Sequence, residues 1–418
     1  MKSHIPLHIR HFRPVHRSVI RLCGGTLLLA ISVTSLHSAP TEKPTDAEIN
    51  VAVVNHLLYD SSVPNNEIDT VTSDGIVTLS GTAPNILAKE RATMVAEAIK
   101  SVRSVVNTIV VEPIKRTDEE ILNDVEAALQ ADPVMDIYEV KPTVANGTVT
   151  LTGTVDSWHE KQFATSVAKG VKGVKLVTND VTVSSKTTRP DSEIAAEIES
   201  ILERDVWVED ALIHTEVKDG KVTLSGSVGS FAEKQRTQSD VWTAGVKAVD
   251  DEGLRVEPWA MAGSMRKEIK VVNWSDQEVQ QAVKDALRAD PRVRSSNLNV
   301  IAGHGLVTLS GTVGNLKAKH AAQRDAINTA GVRRVRNHLK VRGQVPIADE
   351  TLARNVKAAL VRDPYVDRYP IGVSAMKGTV NLTGKVDSHH EKSQAEDVAS
   401  GVSGVTAVNN SIISRFKR

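Results

Sequence analysis

Apolar residues stand three, seven and eleven places after an aspartate in five separate stretches of this chain. They are Ile49, Val53 and Leu57 after Asp46; Ile121, Val125 and Leu129 after Asp118; Ile194, Ile198 and Leu202 after Asp191; Val279, Val283 and Leu287 after Asp276; and Leu352, Val356 and Leu360 after Asp349. Steps of four place each trio on one stripe of a helix. The aspartate sits at or beside the N-cap, where a carboxylate satisfies free backbone N–H groups. A second aspartate follows in each copy, at Asp60, Asp132, Asp205, Asp290 or Asp363. Three of these stand before proline, as Asp132-Pro133, Asp290-Pro291 and Asp363-Pro364, and there the helix ends.

Period-two stretches come next, flanking the tight-turn signals Asp74-Gly75, Asn146-Gly147, Asp219-Gly220, Gly303-His304-Gly305 and Lys377-Gly378, which predicts a hairpin in every copy. The second hairpin strand reads VTLSG, VTLTG, VTLSG, VTLSG and VNLTG and closes on Gly81, Gly153, Gly226, Gly311 or Gly384, a structural position suited to a bulge or a positive φ. Four places on, Asn85, Ser157, Ser230, Asn315 and Ser388 start a second helix, with Glu160, Glu233 and Glu391 at capping-box distance. Its inner face carries Ala92, Ala164, Ala322 and Ala395. A last strand begins at Asn107, Asn179, Asn337 or Asn410, and the third copy departs by placing Glu252 there.

The helix starts at Asp46, Asp118, Asp191, Asp276 and Asp349 keep a nearly constant pitch, with one longer step before the fourth, so the chain is built from small modules in tandem. The expected fold class is α+β: five αββαβ modules, each a three-stranded sheet with two helices on one face. They span 45–112, 117–184, 190–257, 275–342 and 348–416, with a linker at 258–274 and an export signal at 1–39. Aromatic residues are few in this chain of 418 residues (Trp 5, Tyr 4, Phe 4), so the cores must be made of Val, Ile, Leu and Ala. Modules of about 67 residues are near the lower limit of independent stability, and neighbouring copies are expected to support one another.

This repeated pattern, with its central glycines, resembles the BON family. The resemblance implies an αββαβ fold and an extracytoplasmic, non-enzymatic domain that attaches to phospholipid surfaces and serves envelope integrity or osmotic stress. It implies no cofactor. The N-terminus agrees: Lys2, Arg10, Arg13, Arg17 and Arg21 precede an apolar stretch from Leu22 to Val33, with no acid before Glu42, as in an export signal. Ala39 suits a cleavage site while His37 and Pro40 do not, which leaves an uncleaved anchor as the alternative. The single cysteine, Cys23, lies in this segment. The expected location is the periplasm or cell envelope.

Formal charge is zero overall, but without residues 1–39 the chain holds 46 bases against 51 acids. The first three repeats carry 4, 5 and 7 bases against 9, 11 and 16 acids; the fourth reverses this with 12 against 5, and the fifth, counted to the chain end, has 10 against 8. Repeat 4 is therefore the candidate for an anionic phospholipid surface. Arg333, Arg334 and Arg336 crowd its last strand, Lys340 and Arg342 continue along it, and Arg292 and Arg294 follow its first helix. Guanidinium groups suit phosphate oxygens. At roughly 1 kcal/mol per basic residue, five contacts give about 5 kcal/mol, near-millimolar attachment. Trp259 and Trp274, among Met261, Met265, Arg266, Lys267 and Lys270, suit a headgroup boundary or else pack the flanking repeats.

Other repeated features have competing explanations. Lys89, Lys161, Lys234, Lys319 and Lys392 mark one face of the second helix, either for phosphate or as a solvated face. Trp158, Phe231 and Leu316 either probe lipid or pack on the hairpin. His159-Glu160 and His389-His390-Glu391 are the nearest approach to metal ligands, but the glutamates already serve as capping partners. No P-loop, nucleophile elbow, paired-His metal motif or nucleic-acid motif is present, so neither nucleic acid nor a small-molecule substrate is expected. An enzyme would need a deep pocket with convergent titratable groups. The competing function is an envelope-protein scaffold or stress chaperone engaged through acidic repeats 1–3.

Overall fold

The computed structural model describes residues 44–63, 67–132, 134–135, 140–184, 189–260, 272–293, 297–342 and 347–415. The export signal with Cys23, Arg294 and most of the linker lie outside them. Helices α1 (Asp46–Tyr59), α3 (Asp118–Ala131), α5 (Asp191–Arg204), α7 (Asp276–Ala289) and α9 (Asp349–Arg362) open the five repeats. Helices α2 (Ile86–Glu97), α4 (Trp158–Lys169), α6 (Phe231–Asp240), α8 (Leu316–Ile327) and α10 (His389–Ser400) follow the hairpins. All five apolar trios of the first helices are buried. Each repeat has a core of its own, in which Val and Leu of the middle strand, such as Val77 and Leu79, meet these trios and the small residues Ala92, Ala164, Ala322 and Ala395.

The hairpin strands pair antiparallel, and the last strand returns beside the middle one in parallel, as in Leu306–Val313 against both Leu298–Gly303 and Arg334–Val341. The second helix is the crossover that makes this parallel return possible. Asparagine at the start of the last strand ties helix to sheet. Asn107, Asn179, Asn337 and Asn410 each donate to the carbonyl of the lysine on the second helix and accept the N–H two places further along the strand. In repeat 3, with Glu252 at this place, the strand shifts register between Thr223 and Ser225.

The opening aspartates do not cap their own helices. The N-caps are Thr45, Thr117 and Ser275, with capping boxes to Glu48, Glu120 and Glu278, and Pro190 and Ala348, without a side-chain cap. The carboxylates of Asp46, Asp118, Asp191 and Asp349 instead clamp both N–H groups of the hairpin turn, and Asp276 takes the His304 N–H. Each turn is of type I′, with Asp74, Asn146, Asp219, His304 and Lys377 at φ between 50° and 54° before a glycine. The closing glycines all have positive φ, from 107° at Gly81 to 142° at Gly384. At Gly226 and Gly311 an added Cβ would lie 2.1 and 2.0 Å from the carbonyl oxygens of Leu212 and Asn297.

Repeats meet out of sequence order as well as in it, which a simple tandem series does not anticipate. The N–H of Ala330 donates to Arg204 O at 2.7 Å between repeats 4 and 3, and that of Lys172 to Arg362 O at 2.8 Å between repeats 2 and 5. These two contacts are equivalent, each joining the end of a second helix to the end of a first. The residue 16 places after the opening aspartate is Ser62, Val134, Trp207, Arg292 or Tyr365, and it recurs at the junctions. Trp207 donates to Asn328 Oδ1, Tyr365 to Ser62 O, and Arg292 covers the Phe163 ring at 5.3 Å.

Candidate functional site

The last strand of repeat 4, Arg334–Val341, lies at the edge of its sheet and alternates exposed and covered side chains. Val335, Asn337, Leu339 and Val341 turn toward the helices; Arg334, Arg336, His338 and Lys340 are exposed on the other face, and Arg342 follows them. A two-residue step along a strand is about 6.6 Å, which sets the pitch of the row. Its register partners on the middle strand are Leu306, Thr308, Ser310 and Thr312, followed on the first strand by Ile301 and Asn299, so no acidic residue is built into this face. Arg333, Arg334, Arg336, Lys340 and Arg342 make no ion pair with another described residue. At the equivalent places repeat 1 has Val106 and Val110, and repeat 5 has Asn409, Ser411 and Ile413. The cationic row belongs to repeat 4 alone.

Arg333 has a second task. Its Cγ and Cδ lie over the His304-Gly305 turn, as Arg103 and Lys247 cover the turns of repeats 1 and 3 and donate to their carbonyls. Arg292 leaves the candidate group. Its guanidinium clasps Asp290, with Nε 3.0 and 2.9 Å from the two oxygens, and its face rests on Phe163 of repeat 2. The side chain is committed to holding repeats together, and no pattern around Arg292 points to Phe163, which belongs to a different module. Arg294 falls outside the described residues. Trp274 is half-buried against the repeat 4 core, the packing alternative, whereas Trp259 is 68% exposed.

The repeated lysine is structural where its contacts are defined. Lys89 Nζ donates to Ile109 O at 2.7 Å, and Lys234 Nζ to Asp251 O and Leu254 O, both at 2.9 Å. Trp158 stacks on Trp242 of repeat 3 with centroids 5.4 Å apart, Phe231 packs against its own core, and Leu316 enters the core of repeat 5. All three belong to packing. Among the described residues no group of three metal-ligating side chains converges.

A cavity of about 1770 Å³ opens between repeats 2, 3 and 4, lined by Asp205, Arg236, Asp240, Asp290, Arg292 and Asp325 among others. This is a deep space with titratable groups, as an enzyme would require. Those groups, however, are matched to one another: Arg236 Nε donates to Asp205 at 2.7 Å, and Arg292 to Asp290. Burial, followed by the neighbouring Asp290 charge, pushes Asp325 up to about 8, and the same two causes, with Asp205 as neighbour, raise Asp240. Burial also lowers His159. The aspartates stand at equivalent places in repeats 3 and 4, and each set is matched by an arginine of its own repeat, from the second helix in repeat 3 and from just after the first helix in repeat 4.

Comparison with known proteins places these observations. Over 142 residues the chain is 32% identical to "Osmotically-inducible protein Y" of Escherichia coli (strain K12), covering 32% of this chain and 69% of that protein. Over 138 residues it is 30% identical to "Outer membrane lipoprotein DolP" of Haemophilus influenzae, covering 32% and 71%. Among solved structures, CdsD, a structural protein of the type III secretion system of Chlamydia trachomatis, aligns at 18% identity over 49% of this chain and 90% of that one, with a TM-score of 0.15. The PrgH periplasmic domain aligns at 12% identity over 53% and 100%, also at 0.15. The sequence model of the BON domain matches residues 45–113, 117–185, 190–258, 275–343 and 348–415, and on that ground, with the αββαβ module seen five times over, the chain belongs to the BON domain family.

Proposed function

We propose that this protein is a non-enzymatic component of the bacterial cell envelope that attaches to anionic phospholipid surfaces through the outer sheet face of repeat 4, in support of envelope integrity or the osmotic stress response. The observation that carries the reading is the row Arg334, Arg336, Lys340 and Arg342, exposed on a face with no acidic side chain in its register. Four or five such cations supply about 4–5 kcal/mol near an anionic bilayer, so attachment is reversible and salt-sensitive. Exposed Trp259, at the start of the linker, adds an apolar contact suited to the headgroup boundary. The names of the two relatives, one osmotically inducible and one an outer membrane lipoprotein, support a periplasmic or envelope location. No helix among the described residues is long and apolar enough to cross a membrane.

Co-sedimentation with phosphatidylglycerol-containing vesicles tests this. At low salt the protein is expected to pellet with anionic but not zwitterionic vesicles, and Arg334→Glu/Arg336→Glu/Lys340→Glu is expected to weaken binding at least tenfold. Arg333 is left in place because it covers the turn. Indifference of the wild-type protein to anionic vesicles, or undiminished binding by the triple variant, would refute the reading. Saturable capture of envelope proteins without lipid would instead favour a scaffold acting through acidic repeats 1–3.

A further inference from the structure

Helix α1 is apolar on two opposite sides. Ile49, Val53 and Leu57 are buried in the core of repeat 1. On the far side Val51, Val54 and Leu58 are 59%, 44% and 49% exposed, in line with the exposed Ala47. A helix apolar all round is ordinarily enclosed. At the same places repeat 2 has Glu119, Asn123, Glu126 and Gln130, and repeat 4 has Gln277, Gln281, Lys284 and Arg288. The second stripe is thus a property of repeat 1 and not of the module.

Its spacing is specific. Ala47, Val51, Val54 and Leu58 are separated by steps of four, three and four, the seam of a coiled coil over two heptads, with Ala47 and Val54 at d positions and Val51 and Leu58 at a. An antiparallel pairing of this helix with itself about a two-fold axis sets Val51 opposite Val54 and small Ala47 opposite large Leu58. Each layer then has nearly the same volume, so the seam is complementary to itself. On the flank, Glu48 of one helix meets Asn55 of the other, an acid against an amide instead of like charge against like. Such self-complementarity is what an isologous interface requires.

We infer that the exposed side of α1 is a homodimerisation surface on which a second copy of this chain docks antiparallel through Val51, Val54 and Leu58. A seam of two heptads lies at the small end of interface sizes, so the dimer forms reversibly as concentration rises. It lies on a different repeat from the cationic face and stands whether or not that face binds lipid.

Sedimentation equilibrium of the protein over roughly 1 µM to 1 mM, the range a small interface commands, is the primary test. The average mass is expected to climb toward twice the monomer, and Val51→Glu/Val54→Glu is expected to raise the dissociation constant at least tenfold with an unchanged thermal unfolding curve. In a Cys23→Ser background, Val51→Cys/Val54→Cys is expected to oxidise to a covalent dimer, whereas Ala47→Cys/Val51→Cys, which the antiparallel register does not bring together, is not. A monomer throughout the range, equal cross-linking of both cysteine pairs, or a glutamate variant that stays dimeric would overturn the inference. So would loss of vesicle binding in the glutamate variant of a chain that never dimerises, which would assign the stripe to lipid.

Discussion

At the scale of single residues, the closing glycine and the opening aspartate of each repeat had different fates under sequence reasoning. The glycine was legible because its requirement is local: a strand that must continue through φ of 115° at Gly226 accepts no side chain, and a carbonyl stands 2.1 Å from where Cβ would be. Gly226→Ala is therefore expected to cost about 2–4 kcal/mol, combining an unfavourable backbone region with a displaced first strand. A drop in the urea midpoint with retained helical circular dichroism on return to buffer would show it; an unchanged midpoint would remove the clash as the reason for glycine. The aspartate was misread. Its helix position suggested a cap, but its partners are N–H groups of the distant hairpin turn, and no local rule points to them. Nor did the sequence single out the strand asparagine as a tie, because two of its partners are backbone and the third, a side chain of the second helix, changes from Thr93 and Thr165 to Gln323 and Glu396.

The turn of each hairpin is an element completed from outside itself. Asn146-Gly147 suits a type I′ turn unaided, whereas Lys377 holds φ of 51° without the local side-chain bonding that eases asparagine or aspartate into that region. The Asp349 clamp offsets this, with 2.9 Å to Lys377 N and 3.3 Å to Gly378 N. Asp349→Ala is expected to destabilise the repeat 5 hairpin by about 1–3 kcal/mol, the range for bonds to a charged acceptor. Amide hydrogen exchange within Gly372–Val386 should accelerate about tenfold or more, while the hairpin of repeat 1 stays as it was. Helix and strand identities were open to sequence analysis because period and caps agree, and the parallel return of the last strand follows once a helix is seen to cross over. The register shift of repeat 3 was signalled by Glu252 and by the Val246 and Val249 pair, displaced by one place relative to the other copies.

For the whole molecule, the apolar pattern disclosed five cores but not how they meet. Contacts between repeats rest on Trp207, Arg292, Tyr365 and their partners, residues that differ from copy to copy and so leave no periodic trace. Arg292 illustrates the limit: charge counting assigned it to a membrane, and the fold assigned it to Asp290 and Phe163. The cavity carboxylates give these junctions a pH dependence. Burial, then Asp290, holds Asp325 at about 8, above its value in an unfolded chain, so the protonated form carries the stability. That contribution is complete below about pH 4 and is lost as pH rises through about 8, at up to roughly 1.4 kcal/mol per unit. Asp325→Asn should flatten the unfolding midpoint between pH 5 and 8 relative to wild type; parallel profiles for the two proteins would show that Asp325 does not titrate with folding.

Among the described residues every repeat closes its own sheet, lending no strand to another, yet Tyr365 bonds to Ser62 O and Lys172 N–H to Arg362 O, so repeat 5 grips repeats 1 and 2. A chain synthesised amino end first can therefore fold domain by domain as it emerges, while its earliest modules wait for the carboxyl-terminal repeat to arrive before their final fastening. Premature termination or proteolytic trimming at the far end would thus be felt at the beginning of the polypeptide, more than 300 positions away.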